Sequence, residues 1–174
     1  LGGQEAYASS HTGAGDAVVF GTKAETLDRL RPLLGRSSVL GLLWFTVKEW
    51  NIDRNQLIHE IGQKFGSRPV VVRSSARNED GAAQSQAGAF ASCLDVDSAN
   101  PASLEKAVRT VIESFDGDTE NQVLVQPMLS GIILSGVIMT HELDTGAPYY
   151  VLNYDDESGR ADTITSGFGV NKTV

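Results

Sequence analysis

The chain reads as an α+β protein, with helices flanking a mixed or antiparallel sheet. Two observations predict this. The first two thirds interleave helical apolar spacing with short β-branched runs. The last third turns to strand-like runs separated by turn residues, where a doubly wound parallel sheet would keep alternating strand and helix.

The elements follow in chain order. Residues 1–17 are rich in Gly, Ala and Ser, show no periodicity, and read as a flexible segment. VVF at 18–20 reads as a short strand. In TKAETLDRLRPLLG, Thr22 and Glu25 have the spacing of a capping box, in which each side chain bonds the other's orphan amide. Leu27, Leu30 and Leu34 share one helical face, and Pro32 ends or kinks the helix near Arg31. VLGLLWFTV at 39–47 reads as a buried strand, too short for the ~18 apolar residues of a membrane span. A second helix follows Asp53, with Leu57, Ile58, Ile61 and Phe65 on one side. VVV at 70–72 is a buried strand. A third helix opens at Asn100–Pro101, a cap followed by proline at the first helical position, and carries Leu104, Val108, Val111, Ile112 and Phe115 as its stripe. Strand-like runs follow at 122–128, 134–140 and 148–154, the last two joined as a hairpin through Asp144-Thr145-Gly146. Residues 18–174 are read as one domain with subdomains of roughly 18–68 and 69–174.

Composition narrows the function classes. The 174 residues suit one domain with a real core, and 41% hydrophobic with 21% charged content is ordinary for a globular protein. A formal net charge of −8 argues against nucleic acid or an anionic membrane as partner, since both need a basic surface. The single cysteine, Cys93, excludes an internal disulfide and a thiolate metal cluster, and reads as a buried hydrophobe. No secretory signal pattern opens the chain, and a cytoplasmic location is expected.

The chemistry gathers at 70–88, VVVRSSARNEDGAAQSQAG. A buried strand runs into Arg73, a fork that grips phosphate with parallel hydrogen bonds. Ser74 and Ser75 add hydroxyls. The small residues of 81–89 let backbone amides approach a polyphosphate. Two readings stay open on spacing alone: an anion site, or an internal pairing of Arg73 with Glu79 or Asp80. Neither GxxxxGK[ST] nor GxGxxG is present.

The same stretch, with the LDV that follows at 94–96, resembles the arginine and glycine segment of the N-terminal ATP-grasp domain (the pyruvate/phosphoenolpyruvate-binding type) of phosphoenolpyruvate synthase and pyruvate phosphate dikinase. There it reads approximately VRSSATAED, then FAGQ. Three further segments agree in order: FGTKAETL at 20–27 with LGGKGANL, VLVQPM at 123–128 with VVVQRM, and SGVIMTHELDTG at 135–146 with SGVxFTxDPxTG. The resemblance reaches from about residue 20 to about 167.

It implies an ATP-grasp-like domain that binds ATP with Mg2+, as part of an ATP-dependent kinase or phosphotransferase of the dikinase type. Carried over by position, Lys23 and Arg73 would hold the phosphates, Gly88 would lie against them, Ser92 would offer a hydroxyl and Gln126 would contact the nucleotide. The chain departs from the pattern at Phe20-Gly21-Thr22, where the family has Leu-Gly-Gly, and at Arg77, where it has a small polar residue. The main magnesium ligands and the rest of the ATP-grasp domain are expected beyond Val174, and the phosphocarrier histidine in a separate domain. No catalytic and no metal-binding residue is expected within the chain itself. His11, His59 and His141 sit in no carrier motif, and Asp155, Asp156 and Glu157 read as a solvated turn. Two other classes remain: a nucleotide-sensing module without transfer chemistry, and a structural or partner-binding domain.

Overall fold

Valines at 70, 72, 123 and 125 set the plane of the molecule, because β-branched side chains favour extended backbone and alternate residues of a strand face the same side. The computed structural model describes residues 19–77, 80–81, 84–85, 90–160, 164 and 172–174, with 80, 81, 84 and 85 as backbone. Strand β2 (Pro69–Ser75) pairs antiparallel with β6 (Gln122–Pro127), Val72 opposite Val125. Strand β1 (Leu43–Thr46) adds to the free side of β6 and β5 (Ser92–Asp97) to that of β2, giving the order β1-β6-β2-β5, antiparallel throughout.

One face of this sheet presents Phe45, Val70, Val72, Val96, Val123 and Val125. Helices α2 (Val47–Phe65) and α3 (Pro101–Glu113) cover it with Trp50, Ile61, Phe65, Leu104, Val108 and Val111. Phe45 stacks on Trp50 with ring centroids 5.7 Å apart. Among the described residues this is the main core. The shorter α1 (Lys23–Leu30) lies on the opposite face, where Ala24 and Leu27 meet Leu42, Trp44 and Leu124.

Local chemistry explains where the elements stop. The strand expected over 39–47 shrinks to Leu43–Thr46, because Thr46 caps α2 in a full capping box with Glu49. Asp53 breaks α2 at φ −148° and ψ 74°, and its carboxylate accepts the Gln56 amide at 3.0 Å, restarting the helix at the expected place. Asn100 accepts from the amides of Ala102 and Ser103 ahead of Pro101, as its sequence predicts. The box expected at Thr22 and Glu25 forms only by half: Thr22 accepts the Glu25 amide, but the Glu25 carboxylate turns to the sheet.

Strand β5 escapes the sequence reading, because SCLDVD is neither uniformly apolar nor cleanly alternating. Residues 19 and 20, expected in a strand, have no regular structure and are exposed; Val18 and the expected flexible segment 1–17 lie outside the described residues. Backbone ladders pair β3 (Asp80–Gly81) with β4 (Gln84–Ser85), and β7 (Ser135–Met139) with β8 (Val151–Asp155) with β9 (Lys172–Thr173), again antiparallel. The β7–β8 connection is a long loop rather than a tight turn. Asp144 and Thr145 donate their amides to Glu142 within it, and Gly146 takes φ +70°. The fold is α+β, with antiparallel sheets and three helices among the described residues. No helix among them is long and apolar enough to cross a membrane.

Candidate functional site

The alternation that buries Val70, Val72 and Ser74 under the helices turns Val71, Arg73 and Ser75 to the other face. There the register sets Arg73 opposite Ser92 on β5 and Leu124 on β6, Val71 opposite Gln126, and Ser75 opposite Gln122. Opposed residues in an antiparallel pair stand about 5 Å apart and diagonal ones about 7–8 Å. Arg73, Ser92 and Gln126 therefore share one surface, Arg73 across from Ser92 and diagonal to Gln126.

The polar groups of this surface are not used up by the fold. Gln126 is 8% exposed, yet its side chain makes no hydrogen bond among the described residues. Its amide atoms still touch water, so they are open to a ligand at little cost to the fold. Arg73 is half-buried, and its guanidinium makes neither a hydrogen bond nor an ion pair among the described residues. The rival pairing with Glu79 or Asp80 falls on side chains outside them. Ser92 is exposed. Next to this row β5 bulges: Leu94 and Asp95 sit against Val71, and Asp95 takes φ +55°, a conformation Asp tolerates better than most residues.

Helix α1 is tied to the far end of the same surface. The Ala24 amide donates to the Ser75 hydroxyl at 2.9 Å, Thr22 donates to the Gln122 carbonyl at 2.5 Å, and the Gln122 amide donates to Glu25 at 2.9 Å. Ser75 is fully buried and Gln122 5% exposed; the Ala24–Ser75 bond is buried and the two to Gln122 partly so. Lys23 opens the helix, half-buried, one residue from the bond to Ser75 and so near the Arg73 row.

Of the residues expected at the site, Arg73, Ser92 and Gln126 share the face and Lys23 is tethered to its end; Gly88 lies outside the described residues. Ser74 alternates to the helix-covered side, and Ser75 is spent on the α1 amide, so neither is placed as a phosphate donor. Sequence reasoning did not assign Gln122. Its signal was present: it stands four residues before Gln126 on a strand, hence on the same face.

No protein-family model matches the chain, and no curated protein matches it. A guanidinium fork, an unpaired amide and a hydroxyl in one row suit a ligand with an anionic end and a hydrogen-bonding planar end.

Other features have structural explanations. An open groove of about 700 Å³ lies between α2 and α3, lined by Ile58, His59, Gly62, Gln63, Ser98 and Pro101, away from Arg73; its His59 is exposed. Asp155 accepts the amides of Glu157 and Ser158 as well as the Ser158 hydroxyl. Lys172 bridges Asp156 at 2.6 Å and Glu157 at 3.0 Å. Cys93 packs against the helical core with its thiol toward the Ala107 carbonyl, and burial pushes its pKa up, Lys106 and Thr110 offsetting part of the rise.

Proposed function

We propose that this chain is the nucleotide-binding portion of a phosphoenolpyruvate synthase-like phosphotransferase with an ATP-grasp fold, and that the Arg73 face receives ATP. The observation that carries the reading is the mostly buried side chain of Gln126, whose amide reaches water but makes no hydrogen bond among the described residues, diagonal to the unpaired guanidinium of Arg73. An amide offers both a donor and an acceptor, which a nucleobase edge can satisfy. The guanidinium takes two phosphate oxygens at once. The order Gln126, Arg73, Lys23 along the face sets base at one end and phosphates at the other, with Ser92 beside Arg73 as a further hydroxyl. Phosphoryl transfer relies chiefly on positioning and charge stabilisation, which is what these groups supply.

The face offers cations, amides and a hydroxyl, and no three His, Cys, Asp or Glu side chains gather among the described residues. That donor set does not suit magnesium. By the resemblance, magnesium ligands and the carrier histidine that accepts phosphate from ATP belong to other parts of the protein.

A titration with Mg-ATP, by calorimetry and thermal shift, tests the reading on the chain and on Lys23→Ala and Arg73→Ala. A ligand that binds only the folded state raises the melting temperature. The expected result is saturable binding that falls about tenfold or more in each variant, the size of a lost charged hydrogen bond. Unchanged affinity with a lowered melting temperature in Arg73→Ala would instead make that arginine a structural residue.

A further inference from the structure

We propose that Ser75 and Gln122 are positioning residues: together they form a latch that fixes α1 on the sheet and so sets the place of Lys23 relative to Arg73. The consequence for ligand affinity rests on the nucleotide reading above; the latch itself does not.

Three observations carry it. First, α1 has only eight residues, and a helix that short is not stable by itself in water. Its placement must come from contacts with the sheet. Second, its apolar anchorage is thin: Ala24 is its one buried residue, with Leu27 half-buried beside it, against Leu42, Trp44 and Leu124. Third, its first turn is held by hydrogen bonds spanning 51, 100 and 97 residues of sequence, from Ala24 to Ser75, Thr22 to Gln122, and Gln122 to Glu25. Gln122 uses both ends of its amide, accepting from the helix cap and donating to the third helical residue. Ser75 takes a helical amide that would otherwise lack a partner.

The latch is specific in direction. Ser75 stands two residues from Arg73 on β2, and Gln122 four residues from Gln126 on β6, all on one face. Any shift of α1 that moves Lys23 must break bonds to the same strands that carry Arg73 and Gln126. Thr22, which stands where the resembling family has glycine, adds its hydroxyl to the latch. Glu25 is held on its other side by Arg29 at 3.4 Å, which keeps its carboxylate turned toward Gln122. Gly21 lies directly against the Glu25 carboxylate.

The test uses Ser75→Ala, Gln122→Met, Lys23→Met and the double variant Ser75→Ala/Lys23→Met. Amide hydrogen exchange reads the latch without any ligand. Protection of the first-turn amides of α1 is expected to fall about tenfold in Ser75→Ala and Gln122→Met, the effect of one ordinary hydrogen bond, while β6 and α3 keep theirs. Unchanged α1 protection overturns the latch. Mg-ATP affinity then reads its consequence through a double-mutant cycle. Ser75→Ala is expected to weaken binding about tenfold, and the double variant to bind no more weakly than Lys23→Met alone, because the latch acts through Lys23. Additive losses, roughly a hundredfold in the double variant, overturn the positioning role. If the unaltered chain binds no Mg-ATP while α1 protection still falls as expected, the nucleotide reading fails and the latch stands.

Discussion

The two faces of the β1-β6-β2-β5 sheet use the same strands for opposite ends. Beneath α2 and α3, Phe45, Val70, Val72, Val123 and Val125 pack against apolar side chains. On the other face, one residue along each strand, Arg73, Gln126 and Ser92 interrupt the apolar pattern, and the short helix α1 packs at one end, at Leu124. The first face explains why the chain folds. The second contains an amide and a guanidinium that make no hydrogen bond among the described residues, so packing alone does not explain them. A polar residue beside a well-packed core is informative when its own hydrogen bonds are missing.

The contrast can be broken most forcefully on the covered face. Phe45→Ala should cost about 3–5 kcal/mol, read as a fall in the denaturation midpoint, because Phe45 is 1% exposed and stacked on Trp50. Val71→Ala, half-buried on the other face, should cost less than about 1.5 kcal/mol. Equal losses would mean that both faces are cores.

A sharper reading comes from adjacent residues of β5. Cys93 lies on the helix side and Ser92 on the Arg73 side. Burial raises the Cys93 pKa, so less thiolate is present at neutral pH than for a free thiol, and its alkylation rate should climb only at higher pH. Ser92→Cys in a Cys93→Ser background should be labelled about tenfold faster or more at pH 7. Similar rates would place both residues in one environment.

Much of this was legible in the sequence. VVV at 70–72 and the stripe of Leu104, Val108 and Val111 gave a strand and a helix because their periods are unmistakable, and the Asn100–Pro101 start is a local signal complete in itself. The α+β class followed from their order. Strand β5 was not legible, since its pairing with β2 and its bulge at Asp95 depend on a partner distant in sequence. The true capping box at Thr46 and Glu49 was hidden inside an apolar run that read as strand to its end. At the site, Arg73 and Gln126 stood out as charged or polar residues in apolar strands. The tie of Ser75 and Gln122 to α1 could not be read, because hydrogen bonds across a hundred residues leave no local pattern.

The central claim is that the polar face is built for a ligand, and Gln126→Met tests it most directly. The substitution keeps the side-chain volume and removes the unpaired amide. The account predicts that the free protein keeps its stability within about 0.5 kcal/mol, while Mg-ATP affinity falls about tenfold. A lower melting temperature with unchanged affinity would contradict it, since the amide would then be serving the fold rather than a nucleotide.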